Sequence, residues 1–89
     1  MVYLISYDLR EKPEESYEEL FQAIKSYKDY CHPLKSQWFI ASYLNATDIY
    51  NGFTPYVMKN DRLFVCEITA NRQGWLDNVS IQWLNDHGL

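Results

Sequence analysis

Asp8 is the residue whose position most invites chemistry. It closes the largely apolar stretch YLISYDL, Tyr3 to Leu9, just before the charged turn Arg10-Glu11-Lys12-Pro13. A carboxylate in that place can hold a hard cation, or it can accept backbone N–H bonds in DLREKP, a common use of Asp after a strand. Mg²⁺ takes about six oxygen ligands and keeps several waters, so one carboxylate per chain is a poor site. Twofold symmetry changes the count. In an isologous dimer an Asp near the axis occurs twice, and two carboxylates facing a cleft could hold Mg²⁺ or Mn²⁺ and activate its water for attack on a phosphodiester. The two carboxylates would repel each other, raising one pKa, and a metal would relieve that strain. Arg10 and Lys12 stand close enough in sequence to approach a phosphate beside Asp8, or to remain simple solvated loop charges.

The other groups able to ligate or attack are scattered. Cys31, His32, Cys66 and His87 include no pair with zinc-finger spacing, and the adjacent Cys31 and His32 cannot easily turn both side chains to one metal. As strand neighbours they face opposite ways, which also disfavours a Cys-His nucleophile pair. No G-x-G-x-x-G, P-loop or H-E-x-x-H motif occurs, so no nucleotide cofactor is expected.

The chain that must position these groups has 89 residues, with 12 acidic and 8 basic side chains and a net charge of −4. That balance argues against a general duplex-DNA coat protein, whose binding rests on Lys and Arg neutralising phosphate. Aromatic residues make up 17%, enough to suggest a core shared between subunits, because a domain this small buries little surface by itself. A single domain spanning residues 1–89 is expected, since no linker, repeat or low-complexity segment interrupts it. No apolar run approaches the roughly 20 residues of a membrane span. With two distant cysteines and no basic-then-apolar leader, the expected compartment is the cytoplasm.

Val2 to Asp8 reads as a strand, apolar on both faces and therefore covered on both. Pro13 and the acidic run Glu14, Glu15, Glu18 and Glu19 mark a helix start, and Tyr17, Leu20, Phe21, Ile24 and Tyr27 repeat at helical spacing. HPLKSQWFIASY reads as an extended pair broken near Ser36. A short or kinked helix follows, capped by Asn45 or Thr47 and carrying Ile49, Tyr50, Phe53, Tyr56 and Val57; Gly52 and Pro55 weaken it. Arg62 to Thr69 is a second clear strand. Trp75, Leu76, Val79, Trp83 and Leu84 space a terminal helix ending near Gly88. The order is βαββαβ with an additional C-terminal helix, the pattern of a ferredoxin-like α+β sandwich with an antiparallel sheet. The sheet face opposite the first two helices needs a cover, from the Trp-rich terminal segment or from a second subunit.

A first strand ending Tyr7-Asp8-Leu9, a helix after a short polar turn, KSQWF in the second extended region and the strand DRLFVCEI together resemble CRISPR-associated protein 2 and virulence-associated protein D. The chain is more closely similar to short bacterial and phage proteins labelled SinR-like. The resemblance covers most of residues 1 to about 70. It implies a ferredoxin-like homodimer and, in many members, a divalent-metal-dependent nuclease acting on RNA or DNA. By that resemblance Asp8 is the metal-binding catalytic aspartate, and Ser36 takes the place of the family's serine after the first helix, where it could orient a water or phosphate. The chain departs from the pattern at HPLK, before Ser36, and in its Trp-containing tail. Two other functions suit the same topology. One is a dimeric scaffold without catalysis. The other is a nucleic-acid-binding module in which Tyr3, Tyr7, Phe39 and Phe64 stack on bases.

Overall fold

The computed structural model describes residues 1–89. Strand β1 (Val2–Asp8) alternates its side chains, sending Tyr3, Ile5 and Tyr7 into one apolar cluster and Val2 and Leu4 into another. Helix α1 (Glu18–Lys25), strands β2 (Tyr30–Leu34) and β3 (Gln37–Ala41), helix α2 (Ala46–Phe53), strand β4 (Arg62–Ile68) and helix α3 (Asn78–Asp86) follow in that order. The strands form one antiparallel sheet ordered β2-β3-β1-β4, an α+β arrangement with three helices. Because every neighbour is antiparallel, β1 and β2 run the same way, as do β3 and β4. Each such pair therefore needs a crossover, and α1 and α2 supply the two.

The larger core lies between the sheet and these two helices. Tyr3, Ile5, Tyr7, Trp38 and Ile40 from the strands meet Tyr17, Leu20, Ile24, Ile49 and Phe53. Helix α1 starts later than Pro13 and its acidic neighbours suggest. Glu14–Ser16 form a single 3₁₀ turn, the chain breaks at Tyr17 (φ −95°, ψ 37°), and the α-helix begins at Glu18. The break turns the Tyr17 ring under the helix, where it is buried and its hydroxyl bonds to Asp61. Helix α2 is short, as expected, and runs directly into a 3₁₀ turn. Asn45, not Thr47, caps it by accepting from the Asp48 N–H at 2.8 Å, and Pro55 falls in the 3₁₀ turn Thr54–Tyr56.

Pro33 lies in edge strand β2, at a register shift between Cys31 and Leu34, where a missing N–H costs the ladder little. Lys35 and Ser36 make the two-residue connection to β3. The opposite face of the sheet is covered only in part. Val2, Cys31 and Phe39 are buried with Leu84 of α3, and Leu4, Ile68, Leu76 and Trp83 pack around them. Helical spacing counted from Trp75 begins too early. The helix starts at Asn78, leaving Trp75 97% exposed in the preceding segment, and Val79 is 75% exposed. Ser80 and Leu84, four residues apart, are the buried pair of α3, and Val79 lies about 100° round the helix from Ser80. Gly88, at φ +80°, takes the left-handed conformation that ends the helix. No helix is long and apolar enough to cross a membrane.

Candidate functional site

Asp8 is the last residue of β1, opposite Arg62 of β4. Its side chain is 57% exposed, and its one hydrogen bond is accepted from Arg10 Nε at 2.8 Å. Ser36 sits at the same end of the sheet, because its carbonyl accepts from the N–H of Tyr7, the neighbour of Asp8, at 3.1 Å. The fold thus brings Asp8, Arg10 and Ser36 together at one sheet end. Lys12 goes elsewhere: its Nζ lies over the Tyr17 ring, 4.9 Å from the centroid. On the Asp8 side of the sheet, two residues back along β1, Ser6 accepts from Gln37 Nε2 at 3.3 Å and faces Phe64 across the strands.

The turn-capping role offered to Asp8 belongs to a different aspartate. Asp61 Oδ1 accepts from the N–H groups of Arg10 at 2.7 Å and Glu11 at 3.3 Å, and from the Tyr17 hydroxyl at 3.0 Å; Oδ2 accepts from the Met58 N–H at 2.8 Å. This carboxylate ties the turn after β1 to the turn before β4. Partial burial pushes its pKa up, but the N–H groups of Arg10 and Met58, the Tyr17 hydroxyl and the Glu11 N–H outweigh that and hold it below the ordinary value. Nothing local in KNDR singles out Asp61, whose partner Arg10 is 51 residues away. The signal lies in strand pairing: with Asp8 opposite Arg62, the antiparallel register carries Asp61 to the start of the DLREKP turn.

No group of three or more His, Cys, Asp or Glu side chains converges in the chain. Cys31 is buried and donates to Ser80 Oγ at 3.4 Å, His32 stacks on Trp38 with centroids 3.8 Å apart, and His87 pairs with Asp29 at 2.7 Å. Asp8 thus belongs to no cluster of ligating side chains, and a second copy of the chain would double its carboxylate.

The base-stacking arrangement loses three of its four rings. Tyr3 and Tyr7 are buried against α1 and α2, and Phe39 is buried beneath α3. Tyr7 Oη accepts from Trp38 Nε1 at 3.0 Å, and burial pushes its pKa up. Phe64 alone, 63% exposed, remains available to a ligand. Set beside known proteins, the chain matches no family model, no curated protein and no solved structure.

Proposed function

We propose that two copies of this chain form a cytoplasmic homodimer that hydrolyses phosphodiester bonds of RNA or DNA, with Asp8 of each copy holding Mg²⁺ or Mn²⁺. The observation that carries this reading is the freedom of Asp8. Its carboxylate is exposed at the strand end and engaged by Arg10 alone, because Asp61 takes over the structural work of the turn. A divalent cation between paired carboxylates lowers the pKa of a bound water and offsets phosphate charge. Arg10 is the phosphate contact beside it, and Ser36 orients a phosphate or water. The strand order β2-β3-β1-β4, with α1 and α2 packed on one face, supports a ferredoxin-like form of the sheet, in keeping with the resemblance to CRISPR-associated protein 2. Two free cysteines are consistent with a reducing compartment.

The Asp8–Arg10 ion pair favours a second reading, a dimeric scaffold without catalysis, since it gives the carboxylate a partner within its own chain. One experiment separates the two. Purified wild type and Asp8→Ala are incubated with labelled single-stranded and duplex RNA and DNA, with Mg²⁺, Mn²⁺ or EDTA, and their oligomeric state is measured in parallel. The expected result is metal-dependent cleavage by wild type, abolished in the variant, with the dimer intact. Equal cleavage by both preparations would identify a contaminant and sink the catalytic reading. A stable dimer without cleavage would favour the scaffold.

A further inference from the structure

Helix α3 is fastened to the sheet edge by a cluster that neither reading of Asp8 uses. Asp29, in the turn between α1 and β2, accepts two side-chain hydrogen bonds from the end of α3. Trp83 Nε1 donates to Oδ1 at 3.1 Å, and His87 Nε2 lies 2.7 Å from Oδ2. The other ring nitrogen of His87, Nδ1, lies 2.6 Å from the carbonyl oxygen of Trp83. Both partners are oxygens with no proton to give. A neutral imidazole carries one N–H and could satisfy only one of them, whereas an imidazolium donates to both.

Three further features favour the charged ring. It stacks on the Trp83 indole with centroids 3.9 Å apart, so the cation faces a π surface. It stands at the C-terminal end of α3, where the helix dipole attracts positive charge. Asp86, on the same helix, adds negative charge nearby. The remaining groups around the cluster do not oppose it. Phe39 of β3, stacked against Trp83 at 6.0 Å, is uncharged, and Arg72 directs its guanidinium to the Leu89 carbonyl and Asn85 Oδ1.

We propose that the His87 imidazolium is a pH-sensitive latch that holds α3 over the sheet, and that its deprotonation loosens the helix and uncovers the apolar strip Val2, Cys31 and Phe39. The segment between β4 and α3, residues 69–77, contains no helix or strand and can act as the hinge. The Asp29 carboxylate first, and then the Trp83 carbonyl, raise the His87 pKa above its ordinary value against the opposing effect of burial. The latch is therefore fully closed below the ordinary histidine value of about 6.5 and is released as pH rises through the raised folded value. It operates whether or not the chain is catalytic.

The test is hydrogen exchange on the full chain between pH 5.5 and 9, corrected for the intrinsic pH dependence of exchange, together with an NMR titration of the His87 ring. Protection of the α3 amides should fall with rising pH, by about tenfold for each unit by which the folded pKa exceeds the ordinary one, while β1 and β3 amides keep theirs. His87→Gln, which retains one donor but no charge, should flatten the α3 profile, and Asp29→Asn should return the ring pKa toward the ordinary value. A His87 pKa at or below about 6.5 in wild type would overturn the proposal without reliance on any variant. So would α3 protection that is independent of pH, or a pH dependence that survives in His87→Gln.

Discussion

Two aspartates near one sheet end do opposite work. Asp61 accepts four hydrogen bonds and joins two turns, whereas Asp8 accepts one from an exposed arginine. Asp61→Ala leaves three backbone N–H groups and a phenol without their acceptor and should destabilise the fold by about 2–3 kcal/mol in urea unfolding. Asp8→Ala should cost less than about 0.5 kcal/mol in the same measurement, as expected for an exposed ion pair. The depressed pKa of Asp61 also sets an acid limit. Its contribution is fully present above the ordinary carboxylate value of about 3.9 and is lost as pH falls through the lower folded value. Urea midpoints measured from pH 5 to pH 2 should therefore show an acid-dependent loss in wild type that is reduced in Asp61→Asn. Asp8 was legible in the sequence because a strand ending in a carboxylate is a local pattern. The role of Asp61 was not, because three of its four donors, on Arg10, Glu11 and Tyr17, lie 44 to 51 residues away in the chain.

At the scale of elements, spacing identified Leu20 and Ile24 of α1 and Ile49 and Phe53 of α2, all buried as expected. It failed for Trp75 and Val79, which continue a helical spacing across the start of α3 without sharing its buried side. Periodicity reports a repeat and not the residue at which the repeat begins. The connection after α1 carries a local cost: Lys28 adopts φ 71°, a left-handed conformation that disfavours a residue with a Cβ. That turn delivers Asp29 to α3, so its geometry matters to the latch. Lys28→Gly should raise unfolding stability by roughly 0.5–1 kcal/mol, read from the urea midpoint at constant slope, and should leave the Asp29–His87 contact in place. A lower midpoint would mean that the lysine side chain contributes more than its backbone strain costs.

The whole molecule has an asymmetric sheet. One face is closed by α1 and α2, and the other is closed by α3 over Val2, Cys31 and Phe39, while Phe64 and Leu34 stay exposed. The expectation that the second face needs a cover, from the terminal segment or a second subunit, is met in part by the terminal segment. For the 10.7 kDa chain, sedimentation at micromolar concentration should give twice the protomer mass. A monomer would remove the paired Asp8 site altogether and with it the nuclease reading, leaving the latch untouched.

The amino-acid sequence by itself determined the order of strands and helices and most of the residues that face the main core, because backbone repeats of two and 3.6 residues impose those patterns locally. Only the tertiary structure decided which aspartate secures the turn, which sheet aromatics are buried, and that both nitrogens of His87 face acceptors. Each of those outcomes depends on groups that chain folding brings together from dozens of positions apart, and hydrogen bonding, unlike periodicity, is set by which atoms meet.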